Sequence, residues 1–331
     1  MSKATGLVLL YGLASALPLL IAFSVPNGVL FMLLVPLPLF LSGLSMGLAA
    51  VTLSTATACL ALSLMIAAAA MRMSGSLALA LADGAGMFIG TGITLGVPVI
   101  VLVRQALFNR TAQDGSVEWY PAGLLVTWLT GAGLFLLAFT LVSLLWFASG
   151  PSLEAIFASQ LSDALRLVLP TVEDAHLQEA AAAAARYGLG IGLDSWLMVI
   201  AANGILAQGV LGRFGRNLRP APDITQLDLP TWLGLALAAA VLVAWLAPGD
   251  VGFLALSLAI VLVVPFFFAG LAVVHAACRH RGSRAIMLII FYLILVLFFW
   301  PATLVAGLGL LDQTIGLRRR LLAAAGKQEN E

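Results

Sequence analysis

The sequence predicts an all-α fold: a polytopic integral membrane helical bundle of about eight or nine transmembrane helices with an external amphipathic helical segment. Three observations predict it. Of 331 residues, 62% are hydrophobic and 9% charged, where a soluble domain carries about 25% charged residues. The mean hydropathy of +1.09 arises from unbroken apolar runs rather than scattered apolar positions. Many runs reach about 18 residues, enough for a helix to cross roughly 30 Å of hydrocarbon. This composition excludes an ordinary cytosolic enzyme. With 16 Lys and Arg against 15 Asp and Glu, the net charge is +1, so no basic field points to nucleic acid as a partner.

In order, apolar segments cover residues 5–23, 28–44, 45–71, 84–103 and 121–147, and after a less apolar stretch 189–211, 231–246, 251–277 and 285–310. The first follows Lys3, contains Pro18 and ends in no small-residue cleavage site, so it reads as an uncleaved first helix. Pro26, Pro36 and Pro38 punctuate the second, which is either a span or a re-entrant element shielded by neighbouring protein. Cys59 and Cys278 both lie in apolar surroundings and read as small buried hydrophobes, not as a disulfide framework.

Lys and Arg in short loops mark the cytoplasmic side. Arg104 and Arg110 mark one loop, Arg213, Arg216 and Arg219 a second, and Arg279, Arg281 and Arg284 a third. Two helices separate each successive pair, so all three fall on one side, and Lys3 joins them if four helices precede Arg104. Residues 148–188, which include Glu154, Asp163, Glu173, Asp174 and Glu179, then lie outside. Arg318, Arg319 and Arg320 conflict with this scheme. Either residues 285–310 do not cross once, helped by Pro301, or one basic cluster is external; a cytoplasmic tail is preferred.

Within the external segment, Leu153, Ile156, Phe157, Leu161, Leu165 and Val168 recur at helical spacing, predicting an amphipathic surface helix or lid over residues 152–169. Pro170 ends it, and Thr171 with Asp174 resembles a capping box that starts a second helix through 180–185. The connector 213–230, with Pro220, Pro222 and Pro230, reads as a linker. The expected divisions are an N-terminal transmembrane bundle (1–147), the external segment (148–188), C-terminal transmembrane helices (189–310) and a basic polar tail (311–331).

No P-loop, His-Glu-x-x-His, Gly-x-Ser-x-Gly or paired-cysteine motif is present, so the expectation is no enzyme, no catalytic residue and no cofactor. His176, His275 and His280 are too scattered for a metal site. Polar side chains at membrane depth are costly and therefore candidates for function. Asp83 opens the fourth segment, Asp194 lies a turn or two inside the sixth, and Asn203 and Gln208 follow it; these four are the ligand-binding candidates. Asn203 is nine residues past Asp194, about 180° round the helix, so a single-faced pocket is not supported. Asp83 and Asp194 also read as interfacial acids in contact with water, and Asn203 and Gln208 as interhelical hydrogen-bond partners. Gly86, Gly90, Gly92 and Gly96 sit inside an apolar helix, where close helix packing explains them better than phosphate binding.

Three stretches resemble the YybS-like family of predicted bacterial inner-membrane proteins: "RPAPDITQLDLPTWL" (219–233), "GLAVVHAACRHRG" (270–282) and "LGLLDQTIGLRRRL" (308–321). That resemblance implies a multi-pass protein of the bacterial cytoplasmic (inner) membrane and no particular activity. The stretch "LPLFLSGLSMGLAAVTLSTA" (37–56) is distantly similar to the substrate-binding S components of energy-coupling-factor transporters, which dock on a coupling protein and two ATPases.

Two functional readings stand side by side. In one, the chain is a small-solute-binding permease subunit in the lipid bilayer, energised by a membrane or ATPase partner. In the other, it is a structural or scaffolding component of the cell envelope, whose Arg clusters meet anionic lipid or a partner protein.

Overall fold

The computed structural model describes residues 3–24, 28–147, 150–279, 282–298 and 300–321. His280, Arg281 and the tail from residue 322 lie outside the described residues. The helices are α1 (Lys3–Ser24), α2 (Leu37–Met46), α3 (Leu48–Ser74), α4 (Leu77–Thr91), α5 (Val97–Leu107), α6 (Ala122–Phe147), α7 (Leu153–Val168), α8 (Asp174–Arg213), α9 (Trp232–Leu246), α10 (Gly249–Cys278), α11 (Arg284–Leu297) and α12 (Pro301–Ile315). A small antiparallel hairpin, β1 (Asn109–Thr111) and β2 (Val117–Trp119), interrupts them with Arg110 opposite Glu118. Among the described residues six helical stretches are long and apolar enough to cross a membrane: Lys3–Ile21, Leu48–Ser74, Leu77–Leu107, Ala122–Trp146, Asp174–Arg213 and Gly249–Cys278. The other apolar segments form shorter helices, α2, α9 and α11 among them, because prolines and loop residues divide them.

The chain forms two compact units, Met1–Tyr120 with Trp196–Pro222 and Pro121–Ser195 with Asp223–Glu331. These boundaries differ from the expected divisions at 147 and 188. The cause at 188 is α8, which runs unbroken for 40 residues, about 60 Å at 1.5 Å per residue. The expected second external helix and the sixth span are one helix, and Gly188 and Gly190 do not interrupt it. Both fill close contacts: a Cβ on Gly188 would lie 3.0 Å from Phe157, and one on Gly190 2.8 Å from Ile260.

In the first unit, α1 packs on α3, and α3 on α4. Gly12 permits the first approach, since a Cβ there would fall 2.5 Å from the Ser54 carbonyl. A 3-10 stretch (Gly28–Leu34) and the ten-residue α2 make the second apolar segment a broken element, with Pro38 in the first turn of α2. Gly75 in the left-handed region ends α3, and Ser76 caps α4 by accepting the Leu79 N–H. The helix therefore begins at Leu77, and Asp83 does not open it: that residue lies about two turns inside, with an exposed side chain. Between α4 and α5 the ladder loosens into a π turn over Gly92–Gly96.

In the second unit α10 is the axis, with 61% of its apolar window buried against 28–33% in the other five long stretches. Two apolar cores form around it. Leu137, Leu144, Leu153, Ile156 and Leu189 meet Phe253, while Leu233 and Ala240 of α9 meet Ala259, Leu262 and Phe266. The amphipathic helix α7 starts where its pattern predicts, with Ser152 accepting the Ala155 N–H. The Asp250 carboxylate accepts the Leu153 N–H at 2.8 Å, joining the starts of α7 and α10. Arg166 bridges Asp163 and Asp174 across the turn into α8.

The helices α10 and α12 cross in backbone contact: a Cβ on Gly270 would lie 1.8 Å from the Val305 carbonyl oxygen, and one on Gly309 1.8 Å from that of Phe266. At one end of this unit, Arg279 after α10 donates to the Thr225 hydroxyl (3.1 Å) and pairs with Asp223. Arg318 after α12 donates to the Thr225 carbonyl (3.2 Å) and, from Nε, to buried Asp312 (2.6 Å), whose other oxygen accepts the Arg318 N–H. Hydrogen bonds from the Thr225 hydroxyl and N–H hold the Asp223 carboxyl below the usual carboxylate range, and Arg279 adds to this. Both arginines thus reach the same short segment, so α11 and α12, of 14 and 15 residues, run out and back. The two ends of residues 285–310 therefore lie at one end of this unit, and Pro301 at the start of α12 marks the reversal.

Gly309→Ala should lower stability by on the order of 1–3 kcal/mol, because its methyl meets a carbonyl that cannot retreat. Gly307→Ala, on an open face of the same helix, should change it by less than about 0.5 kcal/mol. Thermal unfolding in detergent compares them, and equal shifts would refute the crossing.

Candidate functional site

Irregular backbone inside an apolar bundle leaves carbonyls without ladder partners, and each must find a donor or carry a cost of several kcal/mol. Among the described residues of the first unit, the second half of α8 serves three such places. Trp196 donates its indole N–H to the Thr94 carbonyl in the π turn at 2.9 Å. Asn203 Nδ2 donates to the Leu33 carbonyl at the end of the 3-10 stretch and to Val199, both at 2.7 Å. Gln208 Nε2 donates to the Arg219 carbonyl of the connector at 2.6 Å. Trp196 and Asn203 are seven residues apart, two helical turns, so they share a face with the buried residues Ile200, Ala207 and Leu211.

Arg219 closes the lower end of this arrangement. It is 5% exposed, and its guanidinium donates to the Ala106 carbonyl at 3.0 Å and the Tyr120 carbonyl at 2.7 Å. Burial pulls the guanidinium below its usual value. Arg219 thereby holds the end of α5 and the exit of the hairpin to the segment after α8, placing the loops of Arg104 and Arg219 at one end of the unit. Its Nε, together with Asn203 Oδ1 and Thr55 Oγ1, is buried without a hydrogen-bond partner.

The four ligand-binding candidates do not converge. Asn203 and Gln208 direct their amide donors at backbone carbonyls. Asp83 is exposed on α4. Asp194 lies near the middle of α8, half-buried, and one carboxylate oxygen is fully enclosed without a partner. The glycine row divides as well. A Cβ on Gly86, Gly90 or Gly92 would meet nothing within 4 Å, whereas one on Gly96 would lie 2.8 Å from Thr55 and one on Gly84 3.0 Å from Ala67. Among the described residues Gly86, Gly90 and Gly92 therefore pack on no other helix, because four-residue spacing fixes a shared face but not what that face meets. Close contacts fall instead on Gly12, Gly43, Gly270 and Gly309.

His275 engages the Leu271 carbonyl at 3.0 Å and lies edge-on to Tyr292. Among the described residues no three His, Cys, Asp or Glu side chains gather where a metal could be held. Cys59 and Cys278 are buried free thiols. Sequence reasoning missed the role of Trp196; the available signal is Pro98, which has no N–H to offer the Thr94 carbonyl four residues before it, whereas a tryptophan in an apolar helix reads as packing.

Asn203→Leu should cost roughly 1–3 kcal/mol, since it leaves the Leu33 carbonyl unpaired where hydrocarbon offers no donor. Trp196→Phe should cost about 1 kcal/mol and increase hydrogen exchange at the π turn. Unfolding midpoints and amide exchange around residues 92–96 give the check; unchanged exchange in Trp196→Phe would refute the assignment.

No curated protein and no solved structure matches the chain. The stretch 37–56, similar to transporter S components, lies outside the one matched family region. That region takes in the stretches 219–233 and 270–282 whole and the start of the third. Over residues 190–313, a little over a third of its length, the chain matches the model of a family described as predicted membrane protein (DUF2232), and with its six long apolar helices it is a multi-pass membrane protein.

Proposed function

We propose that this protein is a small-solute-binding permease subunit of the bacterial cytoplasmic membrane, a binding protein rather than an enzyme, energised by a partner. Asp194 carries the reading. An ionisable group inside the apolar part of a membrane helix is costly unless a ligand, proton or counter-ion uses it, and one Asp194 oxygen is enclosed without any hydrogen-bond donor. The carboxylate accepts a donor or a cation from the solute. The absence of any nucleotide motif in the sequence favours a separate energising component, such as an ATPase pair with a coupling subunit.

One observation favours the alternative, a cell-envelope scaffold: Trp196, Asn203 and Gln208 all serve the backbone, leaving Asp194 as the main polar group on α8 available to a ligand. Purification from native membranes in mild detergent, with mass spectrometry of co-purifying proteins and metabolites, separates the readings. The permease reading expects a coupling protein or ATPase and one retained metabolite. It further expects Asp194→Asn to keep the proteins, lose the metabolite at least tenfold and accumulate normally. Envelope proteins without a metabolite would favour the scaffold, and failure of Asp194→Asn to accumulate would make the acid structural.

A further inference from the structure

A cleft of about 460 Å³ opens in the first unit where the first turns of α1, the last turn of α2 and the residues after α8 meet. Two cations line it, Lys3 and Arg216. Neither has an acidic partner among the described residues, and both side chains are exposed. Lys3, Leu7 and Tyr11 follow one another at four-residue spacing, so they form one row along α1 about 12 Å long. Met46 and Leu211 supply the apolar wall. The segment carrying Arg216 is fixed in place, because the Leu218 N–H donates to the Leu44 carbonyl at 2.9 Å in the last turn of α2.

We propose that this cleft binds the phosphate headgroup of an anionic phospholipid. Lys3 and Arg216 flank the phosphate, Tyr11 offers its hydroxyl below them, and Leu7, Met46 and Leu211 take the first part of an acyl chain. Charge complementarity selects the anion. The apolar wall selects a lipid over a soluble ion, and the cleft lies where α1 and α8, both long and apolar enough to span, end, which is headgroup depth. The inference does not rest on the solute reading, and Asp194 has no part in it.

The test is native mass spectrometry of the purified full chain titrated with dioleoylphosphatidylglycerol or dioleoylphosphatidylcholine. The wild type should retain phosphatidylglycerol at least tenfold more tightly. Lys3→Gln and Arg216→Gln should each reduce that preference roughly fivefold, in keeping with the effect of one cation at an anionic surface, and the double variant should abolish it. Lys3→Arg with Arg216→Lys should restore it, and Arg72→Gln, a cation on α3 outside the cleft, should leave it intact. Equal retention of the two lipids by the wild type, or an unchanged preference in the double variant, would overturn the proposal. Displacement of phosphatidylglycerol by millimolar inorganic phosphate would assign the cleft to a soluble phosphate and overturn it equally.

Discussion

Satisfying backbone carbonyls where no water competes is the constraint on which the first unit depends. Its chain is not regular: a 3-10 stretch stands before α2, a π turn divides α4 from α5, and the connector after α8 runs as open loop. Each departure frees an acceptor, and hydrocarbon supplies no donor. Ser15 meets one such acceptor, the Val35 carbonyl. The larger share falls to α8 and the residues just after it, whose side chains donate to Thr94, Leu33, Ala106 and Tyr120. These bonds hold elements far apart in sequence, with a separation of 170 residues for Asn203 and Leu33. Each is worth on the order of 1 kcal/mol when made, and more when a carbonyl is left without it.

The second unit meets the same difficulty with close packing. Where Gly270 and Gly309 stack, two helix backbones approach as near as sterics permit, and dispersion does what hydrophobic burial cannot do between lipid-like surfaces. That crossing requires α12 to return beside α10, and the return is secured by the Asp312–Arg318 pair at 4% and 11% side-chain exposure. A buried pair of this kind adds little over an apolar replacement, but loss of either partner strands a charge. The pair therefore acts more as a specification of the reversal than as a source of stability.

Much of the architecture is legible in the sequence, and the unread parts share a physical cause. Hydropathy identifies the long helices because burial in lipid imposes a length, and Ser152 with its apolar repeat places α7 to within a residue. What hydropathy cannot convey is which partner a residue meets. Gly86 and Gly90 carry the four-residue spacing of a packing motif and face open space, whereas Gly309 packs on a carbonyl. Arg318 counts as one more cation in a basic tail until the structure shows it paired with Asp312 and bonded to the Thr225 carbonyl, the segment that Arg279 also reaches. Gly188 and Gly190, by contrast, are the points where Phe157 and Ile260 approach α8. For the candidate site, Asn203 and Gln208 are legible as hydrogen-bonding groups, and Pro36 marks a missing donor near Leu33, but which side chain meets the freed carbonyl is not written in the sequence.

Donor and acceptor chemistry divides the polar residues of α8 into two kinds. Orphan carbonyls need N–H or O–H groups, and tryptophan, asparagine, glutamine and arginine all provide them. An ionised carboxylate is an acceptor only and can relieve no carbonyl. The explanation that accounts for Trp196, Asn203 and Gln208 therefore does not extend to Asp194, which stands half a turn round the helix from Asn203. Its enclosed oxygen adds an acceptor to a chain already rich in them, since Asn203 Oδ1 and Thr55 Oγ1 also lack partners. What balances Asp194 has to be a donor: a cation, a proton, a water or a hydrogen-bonding solute. The irregular backbone accounts for Trp196, Asn203 and Gln208, and Asp194 stands outside that account.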